Sequence, residues 1–306
     1  MTLVFPSFAK INWTLEVLGK RADGYHELRT MLQTVSLCDE LRFELTETAH
    51  GSGGIEIICD TPGVPTDERN LVHRAARLLA ESVGIIPRVR IELIKRIPAA
   101  AGLGGGSSNA AVTLIALQKL WNVALAPREL FSLGAKLGAD VPCFLLGGTC
   151  LGIGRGDEVY PLPDIQMEHL LLVNAGIAVS TAEVYGNLPP LLTKAGPAAT
   201  MPFSLEAAYA CLTSPDRQNS PIGSLLRNDL ETPVLARHQL LGEIKARLGQ
   251  AGAAGALMSG SGSTIFGVFD SAAALDAAQA ELGATGWWTM KARTLGRAEY
   301  RHGFEI

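Results

Sequence analysis

The sequence predicts an α+β chain of two domains, and three observations carry that prediction. The first 60 residues alternate apolar and polar positions between turn signals, the pattern of antiparallel strands. A glycine-serine run from Pro98 to Asn109 then separates a strand pattern from a helix pattern. Beyond Pro163 the order is strand, helices, strand, turn, strand, helix, strand, which mixes layers of both kinds. The 306 residues suit two domains on the usual scale of roughly 100–200 residues each. A hydrophobic content of 47% is enough for packed cores and excludes a largely disordered chain.

The elements follow in order. Leu3 to Phe8, Ile11 to Val17, Leu32 to Cys38, Glu40 to Leu45 and Ile55 to Ile58 read as strands. Asp23-Gly24 and the glycines from Gly51 to Gly54 supply turns. Apolar residues at 71, 72, 75, 78 and 79 predict a helix from Asn70 to Ser82. Val89 to Ile94 alternates as a half-buried strand, and Ala110 to Trp121 is a helix former throughout. Pro127 opens a short helix that ends at Gly138, and the apolar run Cys143 to Cys150 reads as a strand. Pro161 and Pro163 mark a domain boundary, giving domains of 1–160 and 161–306. The last strand, near 287–293, is placed where it can return to the first domain.

In the second half Leu170 to Asn174 is a buried strand. Residues 187–223 hold six prolines and read as a loop-rich insertion with one helical piece at about 204–212. Leu235 to Leu248 is a helix, and strands Ala256 to Met258 and Thr264 to Phe269 flank a second glycine-serine turn. A helix from Ala272 to Leu282 and a strand from Trp287 to Arg293 close the chain.

Charge and composition exclude several function classes. A net charge of −4 and a pI near 5.9 offer no global attraction for nucleic acid or an anionic membrane. Residues 97–118 carry no charge, but glycine, serine and alanine make up half of them, short of the roughly 20 predominantly apolar residues that a membrane span needs. Five cysteines without a Cys-x-x-Cys pair read as reduced thiols of a cytoplasmic protein.

The Pro98–Asn109 run is the strongest chemical signal. Gly102, Gly104, Gly105 and Gly106 carry no β-carbons to keep a ligand off the backbone, and Ser107, Ser108 and Asn109 stand where helix N-caps are favoured. Exposed amides at a helix N-terminus make a phosphate site. Neither common glycine fingerprint fits, because no Gly-Lys-Ser/Thr follows and position 107 is Ser. Elsewhere, Lys10 lies in an apolar strand, where a lysine is ordinarily solvated on the outer face. Asp140 follows a helix and a glycine, a place that also suits a plain cap or turn former. Tyr25 and His26 follow a turn, an arrangement equally open to base stacking and to loop packing.

Five ordered segments carry a resemblance: Ala9-Lys10-Ile11-Asn12, Asp23-Gly24-Tyr25-His26-Glu27-Leu28, the 98–109 loop, Gly138-Ala139-Asp140-Val141-Pro142-Cys143-Phe144, and Met258-Ser259-Gly260-Ser261-Gly262-Ser263. Together they resemble the GHMP kinases, the family of galactose, homoserine, mevalonate and phosphomevalonate kinases. The Tyr25-His26 pair is most similar to the branch that phosphorylates a cytidylyl diphosphate alcohol in non-mevalonate isoprenoid synthesis. The resemblance implies an N-terminal α/β domain with a left-handed crossover, a ferredoxin-like C-terminal domain and a cleft between them.

It also implies site residues. Lys10 and Asp140 would be catalytic, with Asp140 accepting the proton of the substrate hydroxyl. Pro98, Ala101, Gly102, Leu103, Gly104, Gly105, Gly106, Ser107, Ser108 and Asn109 would bind ATP, with Asn70 and Lys95 near adenine and ribose. Asn12, Tyr25, His26, Thr181 and Tyr185 would hold the substrate, Tyr25 and Tyr185 sandwiching its cytosine. Mg²⁺ is expected, although no acidic ligand for it is assigned in this sequence. The partners implied are ATP and a small cytidylyl substrate, with no nucleic acid and no membrane. A mevalonate- or sugar-type kinase is the alternative. A catalytically silent relative typically lacks the catalytic acid, and this chain has both Asp140 and Lys10.

Overall fold

The computed structural model describes residues 2–47, 54–188, 209–210, 212–213 and 222–305. The expected turn at Gly51 to Gly53 and most of the expected insertion at 187–223 lie outside them. Two sheets carry the fold. The larger has β1 (Thr2–Lys20), β2 (His26–Leu45), β3 (Ile55–Cys59), β4 (Val89–Ile94), β5 (Thr149–Gly154), β6 (Glu158–Pro161) and the two-residue β8 (Arg227–Asn228). The smaller has β7 (Leu170–Asn174), β9 (Gly255–Met258), β10 (Ile265–Val268) and β11 (Trp288–Ala292).

The two long strands are where the sequence suggested four shorter ones. β1 and β2 form one antiparallel ribbon whose register shifts at Phe8/Ala9, Asn12/Thr14 and Val17/Gly19. Such bulges re-aim side chains without ending the strand, so the alternation breaks while the pairing continues. The length of β2 lets one end pair with β4 (Glu40–Leu45) and the other with β5 (Leu28–Gln33).

Against the first half of this sheet pack α1 (Leu71–Val83), α2 (Gly105–Leu120), α3 (Pro127–Leu137) and α4 (Val141–Leu146). α1 starts where Asn70 Oδ1 accepts the Val72 amide at 2.9 Å and stops at Gly84, whose φ of 70° is left-handed. α4 occupies the apolar run read above as a strand, and β5 begins only at Thr149. Periodicity cannot separate a short buried helix from a buried strand, and Pro142 in the first turn suits a helix start.

The smaller sheet has the spatial order β11-β7-β10-β9, every neighbouring pair antiparallel. With helices in both crossovers this is the ferredoxin-like arrangement. Its helices include α5 (Thr181–Gly186), α6 (Ile222–Leu225), α7 (Glu231–Arg237), α8 (Gln239–Gln250) and α9 (Ala272–Gly283). The helix expected over 235–248 is two helices that meet at His238, whose φ of −122° and ψ of 78° are not helical.

β11 stays in the smaller sheet, paired with β7, and does not return to the first. The segment after it returns instead. Val35 forms an isolated bridge with Thr294, and α10 (Arg297–His302) carries Tyr300 into the core beside Phe5 and Phe144. β8 likewise crosses to pair with β1. A shared apolar cluster joins the sheets, with Trp13 edge-on to Phe266 at 5.6 Å between centroids. No helix among the described residues is long and apolar enough to cross a membrane.

Candidate active site

Two clefts meet between the sheets. One, of about 410 Å³, runs along Pro98, Gly102 and Gly104 to Ser107. The other, of about 1120 Å³, is walled by Lys10, Asn12, Tyr25, His26 and Tyr185. Ser107, Asp140 and Thr181 line both, so they mark the point where a group could pass from one cleft to the other.

The smaller cleft is built on the N-terminus of α2. The helix begins at Gly105, earlier than the sequence suggested, so Ser107 and Ser108 lie within its first turn and Asn109 just beyond it, rather than at its cap. Gly104 is the cap, with φ of 70° and no side-chain hydrogen bond. The first-turn amides therefore stay open to a ligand. Ser107 is half-buried and faces the clefts. Ser108 is fully buried and accepts from Ser7 Oγ at 2.8 Å, so it faces away from them. Leu103 is a core side chain, and only its carbonyl serves the site.

Packing adds a second reason for the glycines, beside the ligand approach that the sequence suggested. A β-carbon on Gly102 would sit 2.0 Å from the Ser259 carbonyl oxygen, and one on Gly104 would meet the Phe144 ring at 2.8 Å. These residues let protein pack on protein. Gly106 alone of the four would take a β-carbon without a clash, at an ordinary contact distance of 3.7 Å from Leu71 Cδ1. The second turn, Ser259 to Ser263, is the partner of this packing. Ser259 Oγ donates to the Gly102 carbonyl at 2.9 Å, and the Thr264 amide donates to Ala101 at 3.1 Å. Asn228 holds the turn by donating to the Met258 and Gly260 carbonyls at 2.8 and 2.7 Å. Sequence reasoning missed Asn228, because its link to the turn exists only through the pairing of β8 with β1.

Beneath the loop is a buried polar cluster that the sequence did not announce. Asp39 is fully buried, and its Oδ1 accepts the Arg96 and Ile97 amides at 2.7 and 2.8 Å. Its Oδ2 accepts from Asn109 Nδ2 at 2.9 Å and from the Lys95 ammonium. Lys95 and Asn109 line the smaller cleft but are engaged with this carboxylate. Asn70 lines it too, with its amide nitrogen donating to the Pro65 carbonyl at 2.6 Å. The alternation Lys95-Arg96-Ile97 around a distant Asp39 carries no local signal.

At the junction, Lys10 Nζ lies 3.6 Å from Asp140 Oδ2. The lysine side chain is 4% exposed and the aspartate 38%, so a buried ammonium faces an accessible carboxylate. Lys10 Nζ also donates to Asn12 Oδ1 at 2.7 Å, and Asn12 Nδ2 donates to Thr30 Oγ1 at 2.8 Å. Asp140 precedes α4 but makes no side-chain cap bond, so capping does not account for it. Thr181 Oγ1 lies 2.8 Å from Ser261 Oγ across the same junction.

The far end of the larger cleft is aromatic. Tyr185 stacks on His26 with centroids 5.2 Å apart at 27°, rather than standing opposite a bare Tyr25. Tyr25 is 58% exposed and carries the Arg155 guanidinium 5.1 Å from its ring centroid. His26 Nε2 is buried with no hydrogen-bond partner among the described residues. Burial, helped by the Lys20 charge, holds the imidazole below its ordinary pKa and therefore neutral. A neutral imidazole offers one donor and one acceptor to a ligand edge. Burial, with the Asp140 charge, raises the Tyr185 phenol well above its usual range.

A phosphorylated substrate needs positive charge near it, and the larger cleft supplies it. Lys10, Lys20, Arg74, Lys136 and Arg155 line it against the single acid Asp140. The overall negative charge of the protein is thus reversed locally. For a metal, no group of three His, Cys, Asp or Glu side chains converges among the described residues. Mg²⁺ bound to phosphates requires only one or two protein oxygens, and Asp140 and Ser107 at the junction fit that mode.

Known proteins with similar sequences and structures extend this picture. Residues 70–148 match the GHMP kinases N terminal domain, and 205–286 match the GHMP kinases C terminal domain. A 4-diphosphocytidyl-2-C-methyl-D-erythritol kinase of Geobacter sp. (strain M21) is 43% identical over 288 residues, 94% of this chain and 97% of that one. The enzyme of that name from Synechococcus sp. (strain JA-3-3Ab) is 44% identical over 268 residues, covering 86% and 84%. A crystal structure of 4-(cytidine 5'-diphospho)-2C-methyl-D-erythritol kinase superposes with a TM-score of 0.78 at 36% identity, over 96% of this chain and 100% of that one. The L. major mevalonate kinase, at 18% identity and a TM-score of 0.69, shares the fold. With identity at this level over nearly its whole length, the chain belongs to the 4-diphosphocytidyl-2-C-methyl-D-erythritol kinases, a branch of the GHMP kinases.

Proposed function

We propose that this kinase transfers the γ-phosphoryl group of ATP to the 2-hydroxyl of 4-diphosphocytidyl-2-C-methyl-D-erythritol. The observation that carries the reading is the junction, where Lys10 and Asp140 stand between an amide-lined cleft and an aromatic one. ATP lies along the smaller cleft with its phosphates on the first-turn amides of α2. The cytidylyl substrate lies in the larger, its cytosine against Tyr25, His26 and Tyr185 and its hydroxyl at Asp140.

Asp140 takes the hydroxyl proton as the oxygen attacks the γ-phosphorus. The bond from that phosphorus to the bridging oxygen breaks, and ADP leaves. Lys10 pairs with Asp140 and neutralises charge that spreads over the transferring group. Asn12 orients the hydroxyl. Ser107 and Asp140 are the residues that would hold a Mg²⁺ ion brought in with the nucleotide, and the ion would supply charge neutralisation. We place the division between the domains at 160/161, with β8 and α10 crossing back to the first.

A coupled ADP-release assay tests this directly. Turnover is expected with the cytidylyl substrate and none with mevalonate or a free sugar. Turnover with mevalonate at a comparable kcat/KM would overturn the substrate assignment.

A further inference from the structure

The second glycine-serine turn is fastened on every side but one. Ser259 Oγ donates to the Gly102 carbonyl, and Asn228 donates to the carbonyls of Met258 and Gly260. The Gly262 amide closes the turn on the Ser259 carbonyl at 3.0 Å. A β-carbon on Gly260 would lie 3.1 Å from Lys10 Nζ, so the turn packs against the lysine of the junction. Ser261 lies between these fixed points and is half-buried.

Its hydroxyl reaches across the junction. Ser261 Oγ is 2.8 Å from Thr181 Oγ1. Thr181 opens α5, the helix whose Tyr185 stacks on His26 one turn later. The threonine is exposed and lines both clefts, as Ser107 and Asp140 do, whereas Ser261 lines neither. A group at the junction therefore meets Thr181, with Ser261 behind it.

We infer that Ser261 is a positioning residue, which directs the hydroxyl hydrogen of Thr181 toward the phosphoryl group in transfer. This rests on the proposed function, which puts the γ-phosphate at the junction. A hydroxyl has one hydrogen to give and two lone pairs to accept with. When Ser261 donates to Thr181, the threonine hydrogen is free for an acceptor in the cleft. Ionised phosphoryl oxygens only accept, so an anion there enforces that direction. The two bonds then run head to tail and polarise one another. No proton changes owner. The interaction strengthens as charge spreads over the oxygens of the transferring group, so its benefit falls on kcat rather than on KM.

Steady-state kinetics of the full-length parent, Ser261→Ala, Thr181→Val and the double variant test this. Ser261→Ala should lower kcat about two- to tenfold, the scale of one neutral hydrogen bond, with both KM values within about twofold. Thr181→Val should lower kcat about ten- to a hundredfold, the scale of a hydrogen bond to a charged group. In the Thr181→Val background Ser261→Ala should add no further loss, because the group it acts through is gone. Thr181→Ser keeps the hydroxyl and should restore the cost of Ser261→Ala. Equal losses from Ser261→Ala with and without the Thr181 hydroxyl would overturn the inference, leaving Ser261 a role in the turn alone. A raised KM with kcat intact would overturn it in favour of ground-state binding. If the parent turns over mevalonate instead of the cytidylyl substrate, the substrate assignment fails by itself, and the same cycle measured with mevalonate decides the role of Ser261.

Discussion

The backbone amide of Lys10 donates to the carbonyl of Leu103 at 3.0 Å, so the strand that bears the ammonium is bonded to the phosphate-type loop. One residue thus ties the two clefts together. Its main chain fixes the loop, and its side chain reaches Asn12 and Asp140. A displacement of β1 by one residue would turn Lys10 to the other face and break both links.

Asp140 and Lys10 should behave as a unit. Asp140→Asn keeps the shape but accepts no proton, and kcat should fall by at least about 100-fold, the lower range of general-base assistance. Lys10→Met should do similar damage, and the double variant should be little worse than either alone. Single-turnover kinetics check this. A kcat for Asp140→Asn within about threefold of the parent would leave the carboxylate only an orienting role, with the phosphoryl group taking the proton late in a dissociative transition state.

The glycines should separate into two kinds. Gly102→Ala forces a β-carbon to 2.0 Å from the Ser259 carbonyl at a φ of 76°, so thermal stability should fall with activity. A β-carbon at Gly106 meets only an ordinary contact with Leu71, so in Gly106→Val the melting temperature should hold while the branched side chain obstructs the phosphate path. The KM for ATP should then rise at least about tenfold, equivalent to about 1.4 kcal/mol. Calorimetric ATP titration beside a melting curve distinguishes the two. Loss of stability in Gly106→Val would show that its face is packed.

Cytosine recognition should depend on stacking and on a neutral His26. Tyr25→Ala should raise the KM for the cytidylyl substrate roughly 5–150-fold, the equivalent of about 1–3 kcal/mol per stacked base, and leave the KM for ATP alone. An equal loss for both substrates would make Tyr25 structural.

Because burial lowers the His26 pKa below 6.5, the folded protein keeps the ring neutral where the unfolded chain has begun to protonate. The unfolded state binds the extra proton there, so His26 withdraws stability as pH falls from 6.5 toward its lowered value. Below both values the penalty is complete. CDP affinity should hold from pH 8 through 6.5 and decline only in more acid solution, with that decline absent in His26→Asn. A decline centred above 6.5 would contradict the neutral-ring assignment.

Asp39 should prove structural. Asp39→Asn leaves the nearly buried Lys95 ammonium without its counter-charge, and breaking such a pair costs about 3–5 kcal/mol. The melting temperature should drop sharply, and residual folded enzyme should show raised KM for ATP as Lys95 and Asn109 lose their anchor. A melting temperature unchanged from the parent would contradict this.

Much of the site was legible in residue order alone. Helix formers after a glycine-serine run announce an open N-terminus, and Tyr25-His26 after Asp23-Gly24 announces an exposed aromatic on a turn. These are local signals, set by backbone freedom and by which groups water or a ligand must satisfy. What only the tertiary structure decided is long-range. The run Val141–Leu146 is apolar in either conformation, and packing on α2 made it a helix that delivers Asp140 to the junction. Gly102 and Ser259 are 157 residues apart, and their contact explains a glycine that the sequence assigned to ligand approach. Asp39, Lys95 and Asn109 form one buried cluster from three separate stretches of the chain. The sequence by itself determined which residue types could bind phosphate, stack on a base and exchange a proton. The distances between them came from bulged strands and shared cores, because burial energy is summed over the whole fold while periodicity reports only one segment at a time.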